Sequence, residues 1–168
     1  MVYWNSRAYF DSGAIITMTF NNYSMNDIFI TGNRALTNIS NNITGMQSWS
    51  FSASITLNYP NGKTASWTAS RTGYLTVANA LYYYAVTGSA SGHSQIDSSY
   101  NVSITNPLYL TSVPWWMSGG CQWFECGNLT IVSPGVANPV YINYGSIGTC
   151  DNQAMVTINN NNYSITLL

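Results

Sequence analysis

Residues 49–59 read WSFSASITLNY, and apolar residues alternate with hydroxyl or amide residues along the whole stretch. Such an alternation places the two kinds of side chain on opposite faces of a strand, as in an antiparallel sheet with one face in water. Asn61-Gly62 follows, and this pair favours the positive φ angles of a hairpin turn. Residues 64–72 alternate in the same way. The sequence therefore predicts a β-hairpin over residues 49–72.

The same pattern continues on both sides of this hairpin. A second hairpin is predicted where residues 154–158 and 163–167 alternate around the four Asn residues 159–162. Further strands are predicted over residues 14–20, 26–31, 33–40, 80–87, 99–105, 121–126, 128–132 and 139–144. We therefore expect residues 1–168 to form a single all-β domain. It would be an antiparallel sandwich or an elongated meander of about 10–12 short strands joined by hairpins.

Ionic side chains are scarce. Four Lys or Arg and five Asp or Glu give a net charge of −1, and the polarity comes instead from 21 Asn, 21 Ser and 17 Thr. Four scattered cations cannot follow a phosphate backbone, so nucleic acid is excluded as a partner. No apolar run reaches the about 18 residues of a membrane-spanning helix, so no transmembrane segment is predicted. The low charge also leaves strand edges without their usual protection against association.

The three cysteines are Cys121, Cys126 and Cys150. Their spacing is poor for zinc, and because His93 is the only histidine we expect no metal site and no cofactor. A disulfide between Cys121 and Cys150 is the better interpretation for an exported protein. It would close a loop of about 30 residues, which is worth roughly 3 kcal/mol. Cys126 has the opposite strand parity to Cys121, and we expect it to be a buried free thiol.

Groups for catalysis are equally scarce. A glycoside hydrolase needs two carboxyl groups about 5–9.5 Å apart. If Cys121 and Cys150 face each other on antiparallel strands, Glu125 and Asp151 would lie about 16 Å apart on opposite faces. We interpret most acids as turn residues or partners of Arg, and His93 as a solvated loop residue. The sequence therefore predicts a protein that is not an enzyme, and a hydrolase is the weakest of its function hypotheses.

Clustered aromatic residues are the candidate binding groups. Trp115 and Trp116 follow a proline in a loop-like segment, and the run of three tyrosines at 82–84 places rings on both faces of a strand. Exposed rings of this kind stack on sugars or anchor protein contacts. Trp115, Trp116 and Tyr83 are therefore the candidate binding aromatics. The alternative is that one ring of each cluster packs in the core and the other closes a sheet end.

Several short motifs cover nearly the whole chain in order. They are FNNY at 20–23, TGNR at 31–34, NGK at 61–63, VTGSASG at 86–92, YNVSIT at 100–105, CQW at 121–123 and GTCDN at 148–152. In this order they resemble the C-terminal region of surface lipoproteins from Bacteroidetes-type bacteria. The resemblance implies an exported, surface-associated, mostly β protein without assigned catalytic residues. The two cysteines of that family correspond to Cys121 and Cys150.

The chain departs from that family at two points. Residues 144–148 read YGSIG and lack the carboxylates of the family's acidic turn, so the resemblance implies no cation site there. The lipid-bearing N-terminal Cys of the family is absent, so the resemblance implies no direct membrane anchor. The chain would then correspond to the C-terminal part of a longer exported protein.

These observations predict a non-enzymatic structural protein of the extracellular space or the bacterial cell surface. Low charge and unguarded strand edges indicate self-assembly into a homo-oligomer or polymer, such as a filament. The alternative is a carbohydrate-binding or adhesion module that uses the exposed aromatic residues. Its partners would be glycans, because Asn side chains both donate and accept hydrogen bonds.

Overall fold

The computed structural model describes residues 2–4, 7–41, 47–78, 81–96, 98–112 and 121–167. Within these ranges the chain forms eleven β-strands and no helix. The strands are β1 (Val2–Trp4), β2 (Ile15–Met25), β3 (Ile28–Asn38), β4 (Ser48–Asn58), β5 (Thr64–Ala78), β6 (Leu81–His93), β7 (Ser99–Ser112), β8 (Cys126–Val132), β9 (Val140–Asn143), β10 (Gln153–Ile158) and β11 (Asn161–Thr166). The expected all-β class is confirmed, and β2, β3, β5, β6 and β7 are longer than the sequence indicated.

All eleven strands belong to one sheet, in which each strand lies next to the strand that precedes it in the chain. Every pairing is antiparallel. Among the described residues, strands contact only their neighbours in this order. The fold is therefore the meander of the two expected arrangements, and no second sheet packs on it in the described part of the chain.

Three of the differences from the predicted strands have a clear structural cause. Residues 26–31 and 33–40 were expected as two strands, but Gly32 adopts a φ of 120° beside a bulge in β2, and β3 continues through it. In the same way β6 continues through Gly88 (φ 122°), so His93 ends a strand and does not lie in a loop. The strand predicted at 121–126 begins only at Cys126, because residues 121–125 fold into an irregular segment.

The alternation seen in residues 49–59 extends from β4 to β7. Cross-strand neighbours from β4 to β7 carry hydroxyl or amide groups on one face: Ser54, Thr68, Ser91 and Asn101. Their neighbours on the opposite face are apolar or glycine: Ile55, Trp67, Gly92 and Tyr100. Because successive side chains of a strand point to opposite faces, the register keeps the two sets apart. We call the first the polar face and the second the apolar face.

The core lies on the apolar face and is covered by side chains of the same sheet. Its buried residues are small or branched: Ala53, Ile55 and Ala69. The side chains packed against them are Phe20, Ile30, Phe51, Leu57, Trp67 and Ala90. At Gly92 an added Cβ would lie 2.7 Å from Tyr100 Oη, so the tyrosine ring occupies the space above the glycine. Large rings over glycine and alanine let a single layer bury part of its own surface.

In the described residues, no helix has the length and apolar character that crossing a membrane would require.

Candidate interaction surface

The sheet exposes more surface than a compact protein of its size. Its accessible area is 10623 Å², whereas a compact monomer of 18.4 kDa exposes about 8200 Å². The excess of about 2400 Å² is comparable with the total area that a specific protein interface buries. Within the described residues, strands touch only their neighbours and no second layer covers the sheet, which accords with this excess.

Apolar side chains on the apolar face remain accessible at both edges of the sheet. Tyr23 is 52% exposed in β2, and in β11 Tyr163 is 52% and Ile165 38% exposed. Between the edges, Phe51 and Trp67 are only half-buried, although they pack on the core. Contiguous apolar surface of this kind marks an interaction site on a soluble protein. The apolar face is therefore the candidate interaction surface.

One end of the apolar face is closed by the segment before β2. The Tyr9 ring stacks on Trp49 with centroids 6.0 Å apart, and Trp49 packs in turn against Tyr84 at 6.3 Å. Asn38, which is buried, donates a hydrogen bond from Nδ2 to the Tyr9 carbonyl at 3.0 Å. Burial raises the pKa of both Tyr9 and Tyr84, so both phenols stay neutral. At this end the segment before β2 therefore covers Trp49 of the apolar face.

The opposite end carries a corner formed by two irregular segments, residues 121–125 and 144–152. Cys121 and Cys150 form a disulfide with a Cα–Cα distance of 5.5 Å, which confirms the expected pairing. Glu125 is 2% exposed, and its Oε2 accepts a hydrogen bond from the Gly148 N–H at 2.7 Å. Its own N–H donates to the Tyr109 carbonyl at 2.7 Å. Glu125 thus ties both segments to β7, and it is a buried residue rather than an acid in a turn.

Cys126 is unpaired and half-buried, not fully buried. It pairs in register with Tyr109 on the polar face. Burial and the neighbouring Glu125 charge raise the pKa of the thiol, and a backbone hydrogen bond at Ile147 opposes them. The thiol is therefore protonated at neutral pH, and a protonated thiol is a poor nucleophile.

The two candidate catalytic carboxylates bind different backbone groups. The Asp151 carboxylate accepts a hydrogen bond from the Gln153 N–H at 3.0 Å, whereas the Glu125 carboxylate is held by Gly148. His93 is exposed at the end of β6 between two serines of neighbouring strands. Across the described ranges, no three His, Cys, Asp or Glu side chains are grouped so that they could hold a metal ion.

Only one of the three candidate binding aromatics lies within the described residues. Trp115 and Trp116 lie outside the described residues. Tyr83 is half-buried on the polar face. Beside it the hydroxyls of Tyr74 and Tyr109 lie 3.5 Å apart, and this hydrogen bond, with burial, raises the pKa of Tyr74 to about 12.

The accessible rings of the apolar face were not among the candidate residues. Trp67 is the central one, and the alternation of residues 64–72 already placed it opposite the hydroxyl groups. Such rings were expected to face a covered core, because an alternating strand usually packs one face against other elements. Only the single-layer topology shows that the face is open.

Comparison of the chain with protein-family models, with curated proteins and with solved structures finds no match. The resemblance to surface lipoproteins therefore stays a prediction.

Proposed function

We propose that the protein is a non-enzymatic structural protein that assembles with copies of itself through its apolar face. The supporting observation is the accessible area of 10623 Å², about 2400 Å² above that of a compact monomer. Specific interfaces bury about 800 Å² on each partner. One face-to-face contact between two copies would therefore remove about a third of the excess of each chain.

A second copy of the chain suits this face because the molecule carries so little charge. The net charge is −1, so identical copies repel each other weakly. On the apolar face Arg34 already lies over the Phe51 ring, with its guanidinium carbon 5.3 Å from the ring centroid. Pairing of one patch with the same patch on another copy gives a closed, two-fold dimer.

The two outer strands support further growth into a filament. Among the described residues β1 and β11 each have a strand on one side only, and neither contains Lys, Pro or a charged residue. Natural edge strands usually carry such residues to prevent pairing with another chain. Addition of β-strands between copies would extend the sheet without a natural end.

The location that fits this function is the extracellular space or the bacterial cell surface. The Cys121–Cys150 disulfide favours an oxidising compartment. The resemblance to surface lipoproteins points in the same direction and places the chain in the C-terminal part of an exported protein.

Carbohydrate binding is the second candidate function, and one feature of the polar face favours it. A shallow trough of about 370 Å³ runs across β5, β6 and β7. Its polar lining is Thr68, Ser70, Ser89, Ser91, Asn101 and Ser103. These groups donate and accept hydrogen bonds, as sugar hydroxyls require. If the parent chain gave only background signal on a glycan array, this candidate would be lost.

Self-association is tested by a pair of substitutions at neighbouring positions of β5. Trp67→Glu puts a charge on the apolar face, and Thr68→Glu puts the same charge on the polar face. We expect sedimentation velocity to show oligomers for the parent and for Thr68→Glu, and monomers for Trp67→Glu. Negative-stain microscopy of the parent would show whether the oligomers are filaments. A parent chain that is monomeric at high concentration contradicts the proposal.

A second pair in β11 separates the two modes of assembly and does not disturb the core. Ile165→Glu changes the apolar face at the sheet edge, whereas Ser164→Glu changes the polar face of the same strand. Face-to-face pairing is weakened only by Ile165→Glu. Equal loss of assembly in both variants would show that edge pairing, and not the apolar face, holds the copies together.

A further inference from the structure

A small cavity lies on the apolar face between the open centre and the disulfide corner. Its volume is about 110 Å³, and aliphatic side chains of β6–β8 line it, among them Val86, Val102 and Leu129. Phe124 and Tyr144 from the two corner segments complete the lining. Their rings pack edge to face with centroids 5.7 Å apart. The cavity is therefore partly enclosed, unlike the rest of the apolar face.

The backbone of the sheet creates this cavity. Pairing of β6 with β7 shifts register between Val86 and Ser89, and Gly88 in this stretch has a φ of 122°. A Cβ on Gly88 would lie 2.2 Å from the Ser70 carbonyl oxygen, so only glycine fits. Pairing of β7 with β8 shifts register twice at Asn106. Bulges bend strands sharply, so the concavity is a fixed feature of the fold.

One cation lines the cavity. Arg71 of β5 pairs in register with Gly88 and is an exposed residue. It lines the cavity together with Tyr144 of the second corner segment. Arg34, the other arginine on this face, is engaged with the Phe51 ring. The Arg71 guanidinium is thus available to an anion that enters the apolar cavity.

We propose that this cavity binds short aliphatic carboxylates of about four to six carbons, with the alkyl chain in the cavity and the carboxylate on Arg71. The size follows from comparison with an apolar cavity of about 150 Å³, which holds a benzene ring. A guanidinium is the side chain best suited to a carboxylate, because its parallel N–H groups match the two oxygens.

Tyr144 supplies a second polar contact beside Arg71. Both residues line the same cavity. Burial raises the pKa of Tyr144, and the positive charge of Arg71 opposes this shift. The phenol therefore stays protonated at neutral pH and can donate a hydrogen bond to a carboxylate oxygen. All groups of the site belong to one chain, so a single copy can bind the ligand, and assembly through the apolar face would compete with this binding.

The proposal is tested by titration of the full chain with butanoate and hexanoate, followed by NMR of the methyl groups. We expect saturable shifts at Ala90, Val102 and Leu129 with dissociation constants in the millimolar range. Acetate should bind more weakly, by roughly fourfold for each CH₂ that is lost. The neutral hexanamide should bind about tenfold more weakly than hexanoate, because it forms no charge-assisted pair.

Matched variants separate specific binding from general attraction to the apolar face. Arg71→Gln should weaken hexanoate binding at least about tenfold, whereas Arg34→Gln should leave it unchanged. Ala90→Leu fills the cavity and should abolish the shifts, and Ser91→Leu, on the polar face of the same strand and outside the cavity lining, serves as its control. Shifts that never saturate, or equal affinity in Arg71→Gln and Arg34→Gln, would overturn the proposal. If Ala90→Leu failed to fold, the comparison of Arg71→Gln with Arg34→Gln would still test the proposal.

Discussion

The central sheet, β4–β6, and the C-terminal corner, residues 121–125 and 144–152, bury apolar surface in different ways. In the central sheet large side chains lie over small ones of neighbouring strands, and no other described segment crosses above them. At the corner irregular segments fold back and help to enclose a cavity. A disulfide and a buried glutamate hold these segments. At the corner a cross-linked segment thus covers part of the single layer, whereas within the described residues the centre of the sheet has no such cover.

The two regions also differ in what stabilises them. Residues of β4 and β5 meet through a hairpin with a continuous register of eleven pairs, so their contacts are local in sequence and cost little loop-closure entropy. The corner joins residues 29 positions apart, and the disulfide reduces that cost in the unfolded chain. Substitutions at the corner should therefore destabilise mainly the strands beside it. Substitutions in the central sheet should instead affect the register of the strands.

The largest expected effect follows from removal of the disulfide. We expect Cys121→Ser/Cys150→Ser to lose about 3–4 kcal/mol of stability at the corner. In hydrogen exchange the amides of β8 and β9 should lose protection, whereas those of β4 and β5 keep it. Cys126→Ser is the matched control and should change little. An equal loss of protection across the whole sheet would show that the two regions are not separate units of stability.

A smaller effect is expected for the glycine that carries β3 past its bulge. Gly32 has a φ of 120°, and a Cβ there would lie 2.0 Å from the Ser54 carbonyl oxygen. Gly62 in the β4–β5 turn has a φ of 77° with open space around it. We expect Gly32→Ala to cost about 2–3 kcal/mol and Gly62→Ala about 1 kcal/mol in urea unfolding. Equal costs would mean that the sheet adjusts its register at Gly32.

The strands of the central sheet could be predicted from the sequence, whereas the number of layers could not. Alternation in residues 49–59 assigns each side chain to a face, and the register confirms that assignment for Ile55 and Trp67. Whether a second layer covers the face depends on contacts between distant segments, which period-two patterns do not encode. Gly32 and Gly88 illustrate the same limit, because a glycine within a strand and a glycine in a turn have the same local signal.

The corner was only partly predictable for a related reason. Its disulfide could be predicted from cysteine count and spacing, whereas the burial of Glu125 could not. A carboxylate in an irregular segment is usually exposed. The sequence around Glu125 does not indicate that its carboxylate accepts a hydrogen bond from the Gly148 N–H. The cavity beside the corner depends on register shifts in two strand pairs. Such shifts become visible only once the strands are paired.

The smallest expected effect concerns Cys126, whose reactivity reports how tightly the corner is closed. Its pKa lies above the ordinary value of 9.0 because of burial and the Glu125 charge. We therefore expect slow alkylation by iodoacetamide at pH 7 in the native chain, rising as the pH passes 9.0, and faster alkylation in urea. Because the native state favours the protonated thiol, this contribution to stability is present at neutral pH and is lost at alkaline pH.

Two variants connect this thiol with the corner. Glu125→Gln removes the like charge and should lower the thiol pKa, which shifts the pH profile of alkylation towards neutral pH. Cys121→Ser/Cys150→Ser opens the corner and should accelerate alkylation at pH 7, measured by mass spectrometry as a single adduct. If the native chain reacted as fast as the unfolded chain at pH 7, Cys126 would be freely accessible. The corner would then be as open as the apolar face of the central sheet, and the contrast between the two regions would fail.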